Sequence, residues 1–182
     1  MGMYRPLDHH RWAPHLDWTD APLTSLVERA TGLPAWVGND ASLGALAEHR
    51  FGAGRGVDDL VYLNGGASGI GGGVIVGGHA LSGAGGYAGE FGQNRPGSGD
   101  RLSERGTLED EVSRARVLDL LGHVFENARD ADEPALAAAI AGSSDPRVAA
   151  ELRRQQGILA VALGNAINVF NPELVVLGGY LA

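Results

Sequence analysis

Asn39, Asp40, Glu90 and Glu109 are the polar side chains whose setting suggests chemistry. Asn39-Asp40 sits between an apolar stretch at 33–38 and an amphipathic one at 41–51, which reads as a strand-to-helix junction. The C-terminal ends of strands are where α/β folds present ligands. A carboxylate there can accept a proton from a hydroxyl nucleophile or simply bind a sugar hydroxyl. The same pair equally suits a helix N-cap with no ligand, since Asn and Asp are preferred caps. Glu90 lies in Gly85-Gly86-Tyr87-Ala88-Gly89-Glu90-Phe91-Gly92-Gln93, where it can act as a paired acceptor for hydroxyls or as a solvated loop acid. Glu109, in Gly106-Thr107-Leu108-Glu109, can play the same part or serve as a first-turn acid favoured by the helix dipole.

A glycine-rich run, Asn64-Gly65-Gly66-Ala67-Ser68-Gly69-Ile70-Gly71-Gly72-Gly73, follows an apolar segment. Such a run lets backbone N–H groups approach a ligand, as in phosphate cradles. It is neither a Walker loop nor a dinucleotide fingerprint, because no Lys-Ser/Thr follows and the next element is a strand. A tight hairpin turn explains it as well. The histidines, at positions 9, 10, 15, 49, 79 and 123, show no zinc spacing.

The elements that position these residues read as follows. Residues 1–22 show no period and are expected to be irregular. A short helix is predicted at 23–30, closed by Gly32, then a strand at 33–38 and a helix at 41–51 with Leu43, Leu46 and Ala47 on its apolar face. The turn-rich stretch 52–59 is the candidate boundary between a part at 1–54 and a larger one at 55–182. Strands are predicted at 60–64 and 71–76, with a Gly77-Gly78 hairpin into 79–81. Residues 83–106 read as loop. Ser103 or Thr107 is expected to cap a helix reaching about residue 127. Helices follow at 134–141 and 146–170, the latter with Leu152, Leu159, Leu163 and Ile167 on one face and Asn171-Pro172 as its stop. A last strand at 174–177 turns at Gly178-Gly179. Local strand pairing followed by alternation with long helices predicts an α/β fold with a mixed sheet.

Composition narrows the function. The chain has 182 residues, with 29 glycines, no cysteine and a net charge of -8. Absent cysteines exclude disulfides and thiolate metal sites, and the compartment expected by default is the cytoplasm. The negative charge argues against non-specific nucleic-acid binding by this chain alone. No apolar run approaches the roughly 20 residues that span a bilayer, and the first dozen residues hold no apolar core of a signal peptide.

Taken in order, Asn-Asp before a helix, strand–Gly-rich–strand, Gly-Tyr-Ala-Gly-Glu, Gly-x-x-Glu and Asn-Pro-Glu-Leu-Val-Val-Leu-Gly-Gly resemble the ROK family (repressor, open reading frame, kinase) from about Trp18 to Leu181. The resemblance implies an actin-like ATPase (ribonuclease H-like) fold, incomplete here and mostly its C-terminal lobe, with a remnant of the N-terminal lobe before residue 55. It implies that Asn39 and Asp40 are the sugar-binding pair, Asp40 being the catalytic base in the family's kinases. Glu90 and Glu109 would be further sugar ligands. Gly69, Gly71 and Gly72 would belong to the second phosphate loop, and Gly178 and Gly179 to the turn near the adenine site.

The chain also departs from the family pattern. The family's zinc site draws on a His in Gly-Glu-x-Gly-His and on three cysteines. Gln93 stands at the His position, and Asp100, Leu102 and Thr107 stand at the Cys positions. Leu and Thr cannot replace thiolates, so no metal is expected. The family's first phosphate loop, and the helix-turn-helix of its repressor branch, would lie before Met1. Ser68-Gly69-Ile70-Gly71-Gly72-Gly73 looks closer to the repressor-branch form than to the kinase form. The expected function is therefore the sugar-sensing domain of a ROK-type transcriptional regulator without its DNA-binding segment, forming a homodimer. An ATP-dependent hexose kinase using ATP and Mg²⁺ is the alternative, and a remnant without activity is the blandest reading.

Overall fold

The computed structural model describes residues 10–13, 18–66, 69–97, 106–122 and 132–182. The chain opens on an antiparallel ribbon, β1 (His10–Ala13) and β2 (Trp18–Ala21), in register His10 opposite Ala21 and Trp12 opposite Thr19. The expected irregular segment is thus partly strand. A two-stranded ribbon need not have a buried face, so its sequence need not alternate apolar with polar. Helix α1 (Leu23–Thr31) ends where Gly32 takes φ +70°, a left-handed cap that glycine adopts without Cβ strain. The expected strand at 33–38 is not formed. Leu33 and Trp36 are exposed, and no neighbouring strand offers them a ladder among the described residues. Helix α2 (Asp40–Phe51) then begins at Asn39, whose side chain accepts from the Ser42 amide.

The main sheet follows. β3 (Leu60–Gly65) pairs antiparallel with β4 (Ile70–Val76), which pairs with the short β5 (His79–Ala80). β6 (Leu174–Gly179) returns parallel to β3, with Gly65 opposite Gly179, giving the order β5-β4-β3-β6. This is the mixed sheet that the sequence predicts. Alternation assigns the two faces. Leu60 and Ile75 point to the side where Ala45 of α2 packs. Val61, Leu63, Ile70 and Val74 point to the other.

The glycines of β4 are what allow α2 to lie close. A Cβ on Gly71 would stand 2.6 Å from the Ala41 Cβ, and one on Gly73 would stand 2.6 Å from the Ala45 Cβ. The buried face of α2 is therefore Ala41 and Ala45, whereas Leu43, expected on the apolar face, is exposed. Small residues meet small residues, so helix and strand approach each other more closely than leucines would permit. Gly73→Ala should lower unfolding stability by about 1–3 kcal/mol, the usual cost of overpacking a tight core. Urea denaturation measures it, and an unchanged midpoint would show that this interface is looser than drawn.

The opposite face is covered by α6 (Pro146–Phe170), and the intervening chain supplies α3 (Leu108–Glu111), α4 (Arg114–Leu120) and α5 (Glu133–Gly142). Ile158, Ala162 and Ala166 of α6 are buried against the sheet, with Leu159 and Leu163 flanking them. Ile167, expected on the buried stripe, is exposed, because the two alanines form the line of closest approach. Val117, Leu118, Leu121, Leu136 and Val148 form a second core cluster shared by α4, α5 and the start of α6.

The single helix expected from Thr107 or Ser103 to about residue 127 is broken. Thr107 does cap it, in a reciprocal capping box with Asp110, but Val112 is extended and α4 restarts after it. Ser103 and residues 123–131 lie outside the described residues. The break has a long-range cause. The Asp110 carbonyl accepts from Arg116, the Glu111 carbonyl from Arg154 Nη2 at 2.7 Å, and the Ser113 carbonyl from Gln155 Nε2 at 3.1 Å. Side chains thus satisfy acceptors that a continuous helix would pair with its own amides. No helix among the described residues is long and apolar enough to cross a membrane.

Candidate functional site

One end of the sheet gathers the candidate residues. The last residues of β3 and β6 and the first of β4 lie side by side there, with Gly65 paired to both Ile70 and Gly179. Ala41 packs over Gly71, which brings the start of α2, and with it Asn39 and Asp40, to the same end. The segment carrying Glu90 crosses the other face of β4. A Cβ on Gly72 would stand 2.4 Å from the Phe91 ring and 2.7 Å from the Gly89 carbonyl oxygen, and one on Gly92 would stand 2.2 Å from the Ile70 oxygen. Phe91 anchors that segment by burial in the core and by an edge-on contact with Phe170, 6.1 Å between ring centres.

Asn39 Oδ1 accepts from the Ser42 amide at 3.1 Å, and Asp40 Oδ1 accepts from the Ala41 amide at 2.8 Å. The capping role and the ligand role are thus compatible: the cap occupies the Asn39 side-chain oxygen, the Ala41 amide occupies one oxygen of Asp40, and both residues are exposed. Capping also fixes where the remaining polar atoms point.

The acids repel one another. Glu90 has its carboxyl pushed above the usual carboxylate range, first by burial and then by the charges of Glu109 and Asp40. A raised carboxyl favours the protonated form in the folded state. Its contribution to stability is therefore complete below the ordinary Glu value and is lost as pH rises through the raised one. Glu90→Gln should accordingly raise the melting temperature at pH 7–8 and leave it unchanged near pH 4. A lower melting temperature at pH 7 would mean that Glu90 makes a favourable contact in its ionised form.

Such mutual repulsion is tolerated at sites that bind ligands, because hydroxyl donors relieve it. Tyr62 is raised as well, by burial and then by Glu48 and Asp40. Its ring lies between α2 and β6, since a Cβ on Gly44 would meet ring carbon Cε1 at 2.8 Å and one on Gly178 would meet its hydroxyl at 3.0 Å.

Glu109 sits at the start of α3, placed there by the Thr107 cap. Its Oε1 accepts from Gln93 Nε2 at 2.5 Å, and its Oε2 is close enough that a Cβ on Gly69 would touch it at 2.5 Å. The Leu108 amide donates to the Asn94 carbonyl at 2.7 Å, a second tie between the two segments. Gln93 and Thr107 do not fit a zinc centre. A carboxamide is not a usual zinc ligand, the Gln93 nitrogen is engaged by Glu109, and the Thr107 hydroxyl is engaged by Asp110 at 2.6 Å. Asp100 and Leu102 lie outside the described residues.

The glycines divide into two groups. Gly71 and Gly72 are strand residues whose missing side chains make room for α2 and for the Glu90 segment. Gly69, with Gly65 and Gly66, instead lines a small pocket together with Glu109, Arg114 and Tyr180. Gly178 and Gly179 close the end of β6 beside it, and position 179 requires glycine, both for its φ of +59° and because a Cβ there would strike the Gly65 oxygen. The sequence reading does not single out Arg114 or Tyr180. Nothing local marks them, because the helix break and the turn after β6 bring them to the pocket.

The profile of the ROK family matches residues 11–182. The chain belongs to the ROK family. It is 34% identical over 182 residues to the xylose repressor of Caldicellulosiruptor bescii, covering 91% of this chain and 45% of that protein. It is 33% identical over 188 residues to a glucokinase of Thermotoga maritima, covering 93% and 58%. Its fold superposes on the ROK family glucokinase of Streptomyces griseus, solved with glucose and AMPPNP, with a TM-score of 0.74, at 29% identity over 93% of this chain and 60% of that one. It superposes equally well, TM-score 0.74, on a ROK family transcriptional regulator homologous to the E. coli MLC protein, at 28% identity over 92% and 45%. This ROK chain thus spans about half the length of the relatives it matches, and repressors and sugar kinases stand beside it alike.

Proposed function

We propose that this ROK chain is the sugar-sensing part of a transcriptional regulator, with Asn39, Asp40, Glu90 and Glu109 as the groups that bind the sugar's hydroxyls. The observation that carries the reading is the convergence of Asp40, Glu90 and Glu109, far apart in sequence, on one end of the sheet: Ala41 packs on Gly71, the segment of Glu90 packs on Gly72, and Glu109 Oε2 lies beside Gly69 and Gly92. Asn39 supplies a donor beside these acceptors. A hydroxyl-rich, uncharged or phosphorylated hexose suits such a set, since each hydroxyl can both donate and accept.

The regulator reading is favoured over the kinase by the glycine run. Gly71 and Gly72 are engaged in packing, which leaves Gly65, Gly66 and Gly69 as the glycines of that run at the pocket. Phosphoryl transfer depends on holding the phosphates and Mg²⁺ in line, and Gly69, Gly178 and Gly179 are the phosphate- and adenine-side residues this chain offers. ATP and Mg²⁺ enter only if the kinase alternative holds. In that case Asp40 takes the proton of the attacking hydroxyl. The protein works in the cytoplasm, without zinc and without binding DNA by itself. Exposed Phe51, Trp36 and Val169, at 80%, 71% and 73%, support pairing with a second copy.

The test is a pair of assays on one preparation. Sugars that raise the melting temperature should do so without being phosphorylated when ATP and Mg²⁺ are added. Robust ATP-dependent phosphorylation of a hexose, abolished by Asp40→Asn, would replace the regulator with the kinase.

A further inference from the structure

We propose that Gln93 is the residue that positions Glu109 in the sugar site, a hydrogen-bonded clasp in the place where the family's pattern calls for zinc. The inference rests on the sugar-binding reading above. Gln93 follows the Glu90 segment, and Glu109 opens α3, with residues 98–105 between them outside the described part of the chain. Among the described residues, two ties join the segments: Gln93 Nε2 to Glu109 Oε1 at 2.5 Å and the Leu108 amide to the Asn94 carbonyl at 2.7 Å. The second holds backbone to backbone. The first alone acts on a side chain that the sugar would contact.

Glu109 needs such a partner. Its charge opposes that of Glu90, whose carboxyl it raises, and the donor on Oε1 offsets part of that repulsion. A carboxamide donor is neutral, so it fixes Oε1 without neutralising the acid. Oε2 is left beside Gly69 at the pocket, where a hydroxyl can reach it. The bond from Gln93 turns the carboxylate's second oxygen from a mobile charge into an acceptor of fixed direction, which is what recognition of a sugar hydroxyl requires. A metal would hold the loop through its ligands. Here the loop is held by Phe91 in the core, by the Asn94–Leu108 tie and by the clasp.

Gln93→Met keeps the length and removes the donor, and Gln93→Lys keeps a donor, now charged and on a chain one atom longer. Measurements are made on the full chain in EDTA. Sugar affinity, for the sugar that binds the unsubstituted protein best, should fall about 10-fold in Gln93→Met, the order expected for one hydrogen bond to a charged group. It should stay within about 3-fold in Gln93→Lys. Amide hydrogen exchange is read in the same samples without sugar. Exchange at Glu109 and Asp110 should quicken in Gln93→Met and not in Gln93→Lys, while EDTA alone changes nothing. Equal affinity in all three proteins, or unchanged exchange in Gln93→Met, overturns the clasp. Loss of affinity and protection on adding EDTA to the unsubstituted protein overturns it in favour of a metal. If no sugar binds the unsubstituted protein, the sugar-binding reading fails, and the exchange data still decide whether Gln93 restrains Glu109.

Discussion

Arg154→Ala should cost about 3–5 kcal/mol of unfolding stability, the loss expected when one partner of a buried ion pair is removed. Glu111 is fully buried, and Arg154 Nη1 meets its Oε2 at 2.7 Å while Nη2 donates to its carbonyl at 2.7 Å. The same guanidinium reaches Glu151 through Nε at 2.9 Å and Nη2 at 2.8 Å. Gln155 extends the network, donating to Glu151 and accepting from the Tyr180 hydroxyl at 2.9 Å. Alanine at 154 would take a cation from a buried carboxylate and a donor from the Glu111 carbonyl, at the point where α3 breaks. The pH dependence has a definite sign. The hydrogen bond from Arg154 is the main reason that Glu151 lies below the usual carboxylate range. A depressed carboxyl contributes stability above its unfolded value and loses it as pH falls through the folded one. The wild type should therefore lose stability through that acid range, and Arg154→Ala should lose less of it there. Urea denaturation at pH 7 and at pH 4 measures both. A loss below about 1 kcal/mol at pH 7 would show the network to be dispensable.

Asp40→Ala and Glu109→Ala should each weaken sugar binding roughly 10-fold to 100-fold. A hydrogen bond to a charged group contributes about 1.5–3 kcal/mol, and about 1.4 kcal/mol is tenfold in affinity. Asp40 Oδ1 is held by the Ala41 amide at the start of α2, so its removal takes away an oriented acceptor rather than a mobile one. Glu109 is held by Gln93. The pair should differ in stability. Asp40→Ala should be nearly neutral because Asn39 keeps the cap, whereas Glu109→Ala also loses the Gln93 tie. Combined calorimetric titration and thermal unfolding of each variant measures this. Equal affinities for variants and wild type would place the sugar elsewhere.

Much of the fold was legible because its signals are local. Pro146 opens α6 and Asn171, at φ 44°, closes it where Asn-Pro predicts a stop. Gly77-Gly78 turns β4 into β5 as written. What sequence patterning missed depends on partners far along the chain. The buried face of α6 is centred on Ala162 and Ala166, because helix and sheet meet where side chains are small, and hydrophobic size pointed instead to the leucines. Residues 33–38 are apolar enough for a strand but have no ladder to join among the described residues. The helix break at Val112 is made by Arg154 and Gln155, some forty residues later. For the site, the motif order singled out Asp40, Glu90 and Glu109, and the fold brings them to one end of the sheet. The clasp from Gln93 was not legible, since a Gln between Gly92 and Asn94 has no local reason to bond Glu109.

The central claim is that this end of the sheet binds a sugar. Calorimetric titration of a hexose and pentose panel, with N-acetylated and phosphorylated forms, into the full chain tests it most directly. The account predicts stoichiometric binding of at least one of these sugars, weakened together by Asp40→Ala and Glu90→Ala. No heat with any sugar, or binding that both substitutions leave unchanged, would contradict it.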